Sequence, residues 1–164
     1  PLRDLVKESI FNLIENSNKF NCSINKANIL DLFSGTGSFG IECISRKAKK
    51  VTFVENYHEA LSILKKNIIS IEADEKIKII EKNCFDYLDS KKKFDEKFNI
   101  IFMDPPYKEE KSNILINAIK EKKILHKNGI IIIHRHKKDK IDITNKLSIL
   151  DERNYGISKI FIGN

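Results

Sequence analysis

The chain has no tryptophan, one methionine, and only three cysteines and three prolines in 164 residues. Cys22, Cys43 and Cys84 are odd in number and far apart, which argues against a disulfide frame or a zinc site and for reduced thiols in a cytoplasm. His134 and His136 can face one way on a strand but lack the cysteine or carboxylate partners of a ligand set, so no metal is expected. No uninterrupted apolar stretch reaches the roughly 20 residues that cross a bilayer, and no signal-like segment opens the chain, so no membrane partner is expected. Internal repeats and low-complexity tracts are lacking too, apart from short lysine clusters. The 41% hydrophobic content suits a sizeable core, and a single monomeric domain over 1–164 is the expectation.

Charge is unbalanced. Thirty Lys and Arg against 23 Asp and Glu leave +7, a field that attracts a polyanion such as nucleic acid. The abundance of Lys, Ile and Asn also matches a chain encoded by AT-rich DNA, so part of this charge is surface solvation.

Apolar runs recur at 29–33, 51–54, 77–80, 98–103 and 130–133. They are nearly continuous and rich in β-branched residues, the pattern of parallel strands covered on both faces. Helical periodicity lies between them at 38–47, 57–71 and 112–121, with Ala60, Ile63, Leu64, Asn67, Ile68 and Ile71 as the inner stripe of the second. A further amphipathic helix is predicted at 4–15, with Leu5, Val6, Ile10, Leu13 and Ile14 inward. Strand and helix alternating in this way predict a doubly wound, Rossmann-like α/β sheet. The tail predicts an antiparallel hairpin, with strands at 147–150 and 157–162 joined by Arg153-Asn154-Tyr155-Gly156.

Glycine is scarce, with six in all, yet Gly35, Gly37 and Gly40 fall in one decapeptide, Asp31-Leu32-Phe33-Ser34-Gly35-Thr36-Gly37-Ser38-Phe39-Gly40. That is where the first strand must turn into a helix, and glycine there lets backbone approach a ligand. Glu55 ends the second strand, placed to accept both hydroxyls of a ribose. Together they predict an adenosine-containing cofactor. The spacing G-x-G-x-x-G also fits a nicotinamide dinucleotide, but Asp31 just ahead of it would repel a pyrophosphate. The same acid suits the ammonium and cationic sulfur of S-adenosylmethionine.

Two of the three prolines are adjacent, in Asp104-Pro105-Pro106-Tyr107 at the end of the fourth strand. They fix φ twice and remove two donors, so the chain must leave the sheet as a stiff turn. Asp104 and the Pro105 carbonyl can accept hydrogen bonds from an exocyclic amine, and the Tyr107 ring can stack on a base. A Pro-Pro pair that merely ends a strand is the bland alternative.

These residues, in this order, resemble the class I S-adenosylmethionine-dependent amino-methyltransferases of nucleic acids. The opening Pro1-Leu2-Arg3-Asp4-Leu5-Val6-Lys7-Glu8-Ser9-Ile10-Phe11-Asn12 is similar to the segment preceding the cofactor motif in bacterial methyltransferases of guanine N2 in small-subunit ribosomal RNA. The resemblance implies a seven-stranded sheet with its last strand antiparallel, and ribosomal RNA or an assembling small subunit as partner. It implies a cofactor site of Asp31, Phe33, Gly35, Thr36, Gly37, Glu55, Asn83 and Cys84, the last two beside the adenine with Asp86 as alternative. An adenine-N6 methyltransferase shares these parts. A basic stretch usually precedes the opening segment in that family, and the start at Pro1, without an initiator Met, reads as trimmed. Tyr57 and His134-Arg135-His136 stand where relatives more often carry acids.

Ligands bind at the carboxyl ends of strands in such sheets. Lys47, Lys49, Lys50, Lys91, Lys92 and Lys93 precede strands and are assigned to solvation. Lys108, Lys111, Arg135, Lys137 and Lys138 follow strand ends and are the predicted phosphate contacts.

Overall fold

The computed structural model describes residues 2–89, 91, 93–106, 110–140, 142–143 and 145–164. Seven strands run β1 (Asn28–Leu32), β2 (Lys50–Val54), β3 (Ile77–Ile80), β4 (Phe98–Met103), β5 (Leu125–His136), β6 (Ile149–Tyr155) and β7 (Ser158–Gly163). They form one sheet in the order β3-β2-β1-β4-β5-β7-β6, parallel from β3 to β5, with β7 antiparallel to both its neighbours. Successive apolar side chains of one strand enter opposite layers. Ile29 and Ile100 pack with α1 (Asp4–Asn16), α2 (Ser38–Ser45) and α3 (His58–Ile69), while Leu30 and Ile101 pack with α4 (Cys84–Tyr87) and α5 (Glu110–Glu121). Both faces are therefore dry, which is why the strands read as continuous rather than alternating.

The helices bury Val6, Ile10 and Ile14 of α1 and Leu64 and Ile68 of α3 as expected, and differ from the expectation at single positions. In α1 Leu5 is 71% exposed, whereas Phe11, absent from the predicted stripe, is fully buried. Its ring stacks on Phe39 at 5.1 Å, and Phe39 stacks on Phe102 at 4.1 Å, an aromatic column tying α1 through α2 to β4. Each such buried ring contributes about 1.5–3 kcal/mol. In α3 the buried residues are Leu61, Leu64 and Ile68, and Ile63 is 46% exposed. The stripe keeps Leu64 and Ile68 and takes Leu61 in place of Ile63, with Leu64 packed against the backbone of the glycine turn.

The hairpin is displaced as well. Residues 153–155, expected as the turn, belong to β6, and the chain reverses at Gly156 (φ +58°) and Ile157. Glycine with positive φ at the first position of a two-residue loop is the usual hairpin solution. Arg153-Asn154 reads as part of a turn because an edge strand, paired on one side only, tolerates polar residues.

Candidate active site at the carboxyl edge of the sheet

Strand β1 lies between β2 and β4, so successive crossovers leave it in opposite directions and open a crevice at its carboxyl end. Here the chain turns sharply: Phe33 (φ 57°), Gly35 (φ 57°) and Gly37 (φ 89°) all adopt left-handed conformations between β1 and α2. A phenylalanine in that region is strained and is held by its surroundings. Ser34, which the sequence reading passed over, supplies much of the hold. Its Oγ donates to the Asp31 carbonyl at 2.6 Å and accepts the Val54 N–H at 3.0 Å, while its own N–H donates to the Val54 carbonyl at 3.1 Å. Gly40 is required by space, since a Cβ there would run into the Phe53 ring and Val51, and Gly37 by its φ of 89°, which an L side chain rarely adopts.

Glu55 reinforces the turn from β2. One carboxylate oxygen accepts the Gly35 N–H at 2.8 Å, and the other accepts the N–H groups of Asn56 and Tyr57 at 2.9 and 2.8 Å. Thr36 is exposed at the turn's tip, its carbonyl accepting from Asn67 at 3.0 Å. After β3, the Asn83 side chain accepts the Asp86 N–H at 2.8 Å and donates to the Asp86 carboxylate at 2.9 Å. Asn83 is therefore the cap of α4 and Asp86 its reciprocal partner. Cys84 is buried behind it, and that burial pushes its thiol up to about 12, which leaves it a small packing group rather than a nucleophile.

Asp31 is 1% exposed. One oxygen accepts the Gly40 N–H at 3.1 Å, and the other is buried with no hydrogen-bond partner among the described residues. Burial first, then the nearby Asp104 and Glu55 carboxylates, push its carboxyl up to about 8 against the Gly40 N–H. The acids ending β1, β2 and β4 thus share one electrostatic neighbourhood. A cationic ligand arriving there supplies the missing partner, and a pyrophosphate does not. This edge fits S-adenosylmethionine and disfavours the nicotinamide alternative.

Asp104 leaves β4 one residue beyond the Met103–Ile133 pair and is partly buried. Its Oδ1 lies 2.8 Å from His134 Nδ1, and His134 Nε2 lies 2.9 Å from Ser158 Oγ. Arg135 points the opposite way from β5. It is 5% exposed, donating to the Pro105 carbonyl at 2.6 Å and to Asp139 at 2.7 Å. The expected phosphate contact by Arg135 is therefore revised: its guanidinium is spent inside the protein, holding the proline turn. Pro106 is exposed, as are Lys111, Lys137 and Lys138. Tyr107 and Lys108, expected to stack on the base and to meet phosphate, lie outside the described residues. A cavity of about 520 Å³ between α4 and α5, lined by Phe85, Leu88, Leu115 and Ala118, includes none of these residues.

Sheet order, glycine turn and strand-end acids define a class I methyltransferase domain, a fold shared with the precorrin-6y C5,15-methyltransferase of Geobacter metallireducens. That structure superposes with a TM-score of 0.71 at 11% identity, covering 100% of this chain and 89% of the other. The chain belongs to the family described as Conserved hypothetical protein 95, whose profile matches residues 1–164. It is 30% identical over 158 residues to the ribosomal RNA small subunit methyltransferase D of Haemophilus influenzae, covering 96% of this chain and 78% of the relative. A conserved hypothetical protein of Streptococcus pyogenes superposes with a TM-score of 0.79 at 28% identity, covering 96% and 94% of the two chains. Family and fold together make it an S-adenosylmethionine-dependent methyltransferase.

Proposed function

We propose that this enzyme methylates the exocyclic N2 of a guanine in small-subunit ribosomal RNA, free or within an assembling subunit, and that it works as a cytoplasmic monomer. The observation that carries this reading is the placement of Asp104, on a proline-stiffened turn, within electrostatic reach of Asp31 at the same sheet edge. Named relatives that act on small-subunit ribosomal RNA support the choice of substrate.

When bound, S-adenosylmethionine supplies an electrophilic methyl group on a cationic sulfur. Asp31 faces its positive charge, Glu55 accepts from its ribose, and the backbone from Phe33 to Gly37 lies against it, with Asn83 and Cys84 beside the adenine. Asp104 accepts an N–H of the guanine amine, aligns the nitrogen lone pair, and takes the proton that the amine sheds as it becomes methylated. The Pro105 carbonyl, already accepting from Arg135, accepts the second N–H with its other lone pair, with Pro106 stiffening the bend and the Tyr107 ring stacking on the base. Since the amine turns acidic only as it reacts, a strong base is not needed. Positioning carries the rate, and well-oriented reactants gain roughly 7–11 kcal/mol from it. Lys111, Lys137 and Lys138, with Lys108, meet the RNA backbone.

Nucleoside mass spectrometry after incubation with small-subunit ribosomal RNA, naked and protein-bound, tests the reading. Labelled N2-methylguanosine is expected. Labelled N6-methyladenosine would transfer the assignment to adenine, and no labelled nucleoside from either substrate would refute RNA methylation.

A further inference from the structure

The Ser158–His134–Asp104 hydrogen-bond chain is built from three strands. Asp104 leaves β4, His134 lies on β5 and Ser158 opens β7, and all three project from the sheet face that carries α1, α2 and α3. An ionised carboxylate only accepts hydrogen bonds. With Asp104 ionised, the 2.8 Å contact to its Oδ1 puts a proton on His134 Nδ1, and with the ring neutral Nε2 then accepts from the Ser158 hydroxyl at 2.9 Å. Ser158 is 6% exposed and His134 is partly buried, so neither contact is a loose surface pairing.

From this geometry we infer that His134 is a positioning residue for methyl transfer. Its Nδ1–H fixes the rotation of the Asp104 carboxylate so that Oδ1 is occupied and Oδ2 is presented to the base amine, and Ser158 holds the ring in the tautomer that can do this. The antiparallel last strand thereby acquires a part in the chemistry, since it brings Ser158 to the open edge. The inference rests on the methyltransferase reading above. A neutral imidazole donates a proton to an ionised Asp104, whereas an ionised acid at this position would have none to give.

The test compares His134→Ala, His134→Asn and Ser158→Ala with wild type on small-subunit ribosomal RNA. His134→Ala should lower kcat by about 100-fold, the scale of a misplaced reactive group, with KM and S-adenosylhomocysteine affinity nearly unchanged. Asn places an amide N–H close to where Nδ1 stood and should recover most of the loss. Ser158→Ala should cost less, and should cost nothing further in the His134→Ala background, as expected for links of one chain. Nitrogen-15 spectra of the free protein should show a solvent-protected Nδ1 proton on His134 that disappears in Asp104→Ala.

An active wild type with unaffected kcat in His134→Ala, or no rescue by Asn, would overturn the inference alone. So would spectra placing the neutral ring's proton on Nε2. A wild type that methylates no RNA would overturn the function and this inference with it.

Discussion

Replacing Asp31 with asparagine should make the protein gain stability over wild type as the pH rises. The carboxyl is 1% exposed with one oxygen unpartnered among the described residues, and it is pushed from 3.8 to about 8. Below the unfolded value both states hold the proton and the group costs nothing. As pH rises from there to about 8 the unfolded chain loses the proton while the folded protein keeps it, so stability falls by about 1.4 kcal/mol per unit. Above about 8 both states are ionised and the cost levels off. Between pH near 5 and pH near 8 the wild type should therefore lose about 4 kcal/mol that the Asn variant keeps. Urea unfolding of both proteins at the two pH values measures this. Groups common to the pair cancel, and any fixed cost of the amide drops out of the difference. A stability gap that does not widen with pH would refute the buried, proton-holding carboxyl.

The same acid predicts proton release on ligand binding. S-adenosylhomocysteine keeps an ammonium group that favours ionised Asp31, so affinity should rise with pH up to about 8 and then level. Calorimetry near pH 7 in buffers of different ionisation heat should detect the released proton, and identical heats would contradict it. Arg135→Ala breaks buried hydrogen bonds to Pro105 and Asp139 and should cost about 2–3 kcal/mol in unfolding free energy, whereas a loss within a few tenths would show that the clamp is idle. Changing Lys137 and Lys138 together to Ala should flatten the dependence of log affinity for RNA on log salt by about 1.4–1.8 for two lost phosphates. An unchanged slope would remove both from the interface.

Much of the architecture was legible because it is local. Doubly buried strands announce themselves as apolar runs, and the turn of Gly35, Gly37 and Gly40 followed by Glu55 reads directly as a strand-helix-strand crevice. The misread parts depend on neighbours distant in sequence. Phe11 is interior because Phe39 and Phe102 complete its stack, and 153–155 form a strand because β7 pairs with them. Arg135 looked like surface charge in a basic run, yet strand alternation turns it inward to the Pro105 carbonyl, 30 residues away in the chain. The His134–Asp104 contact spans the same separation. An imidazole one residue past the partner strand's last apolar position was the available signal, and reading it requires knowing that β5 lies beside β4.

Turnover and binding measured side by side on Asp104→Ala test the central claim most directly. The expected result is loss of RNA methylation with S-adenosylhomocysteine affinity within a few-fold of wild type, since the proposed roles give Asp104 to the base and Asp31, Glu55 and the glycine turn to the donor. Wild-type turnover in this variant would contradict the account, as would turnover and ligand binding lost together in a folded protein.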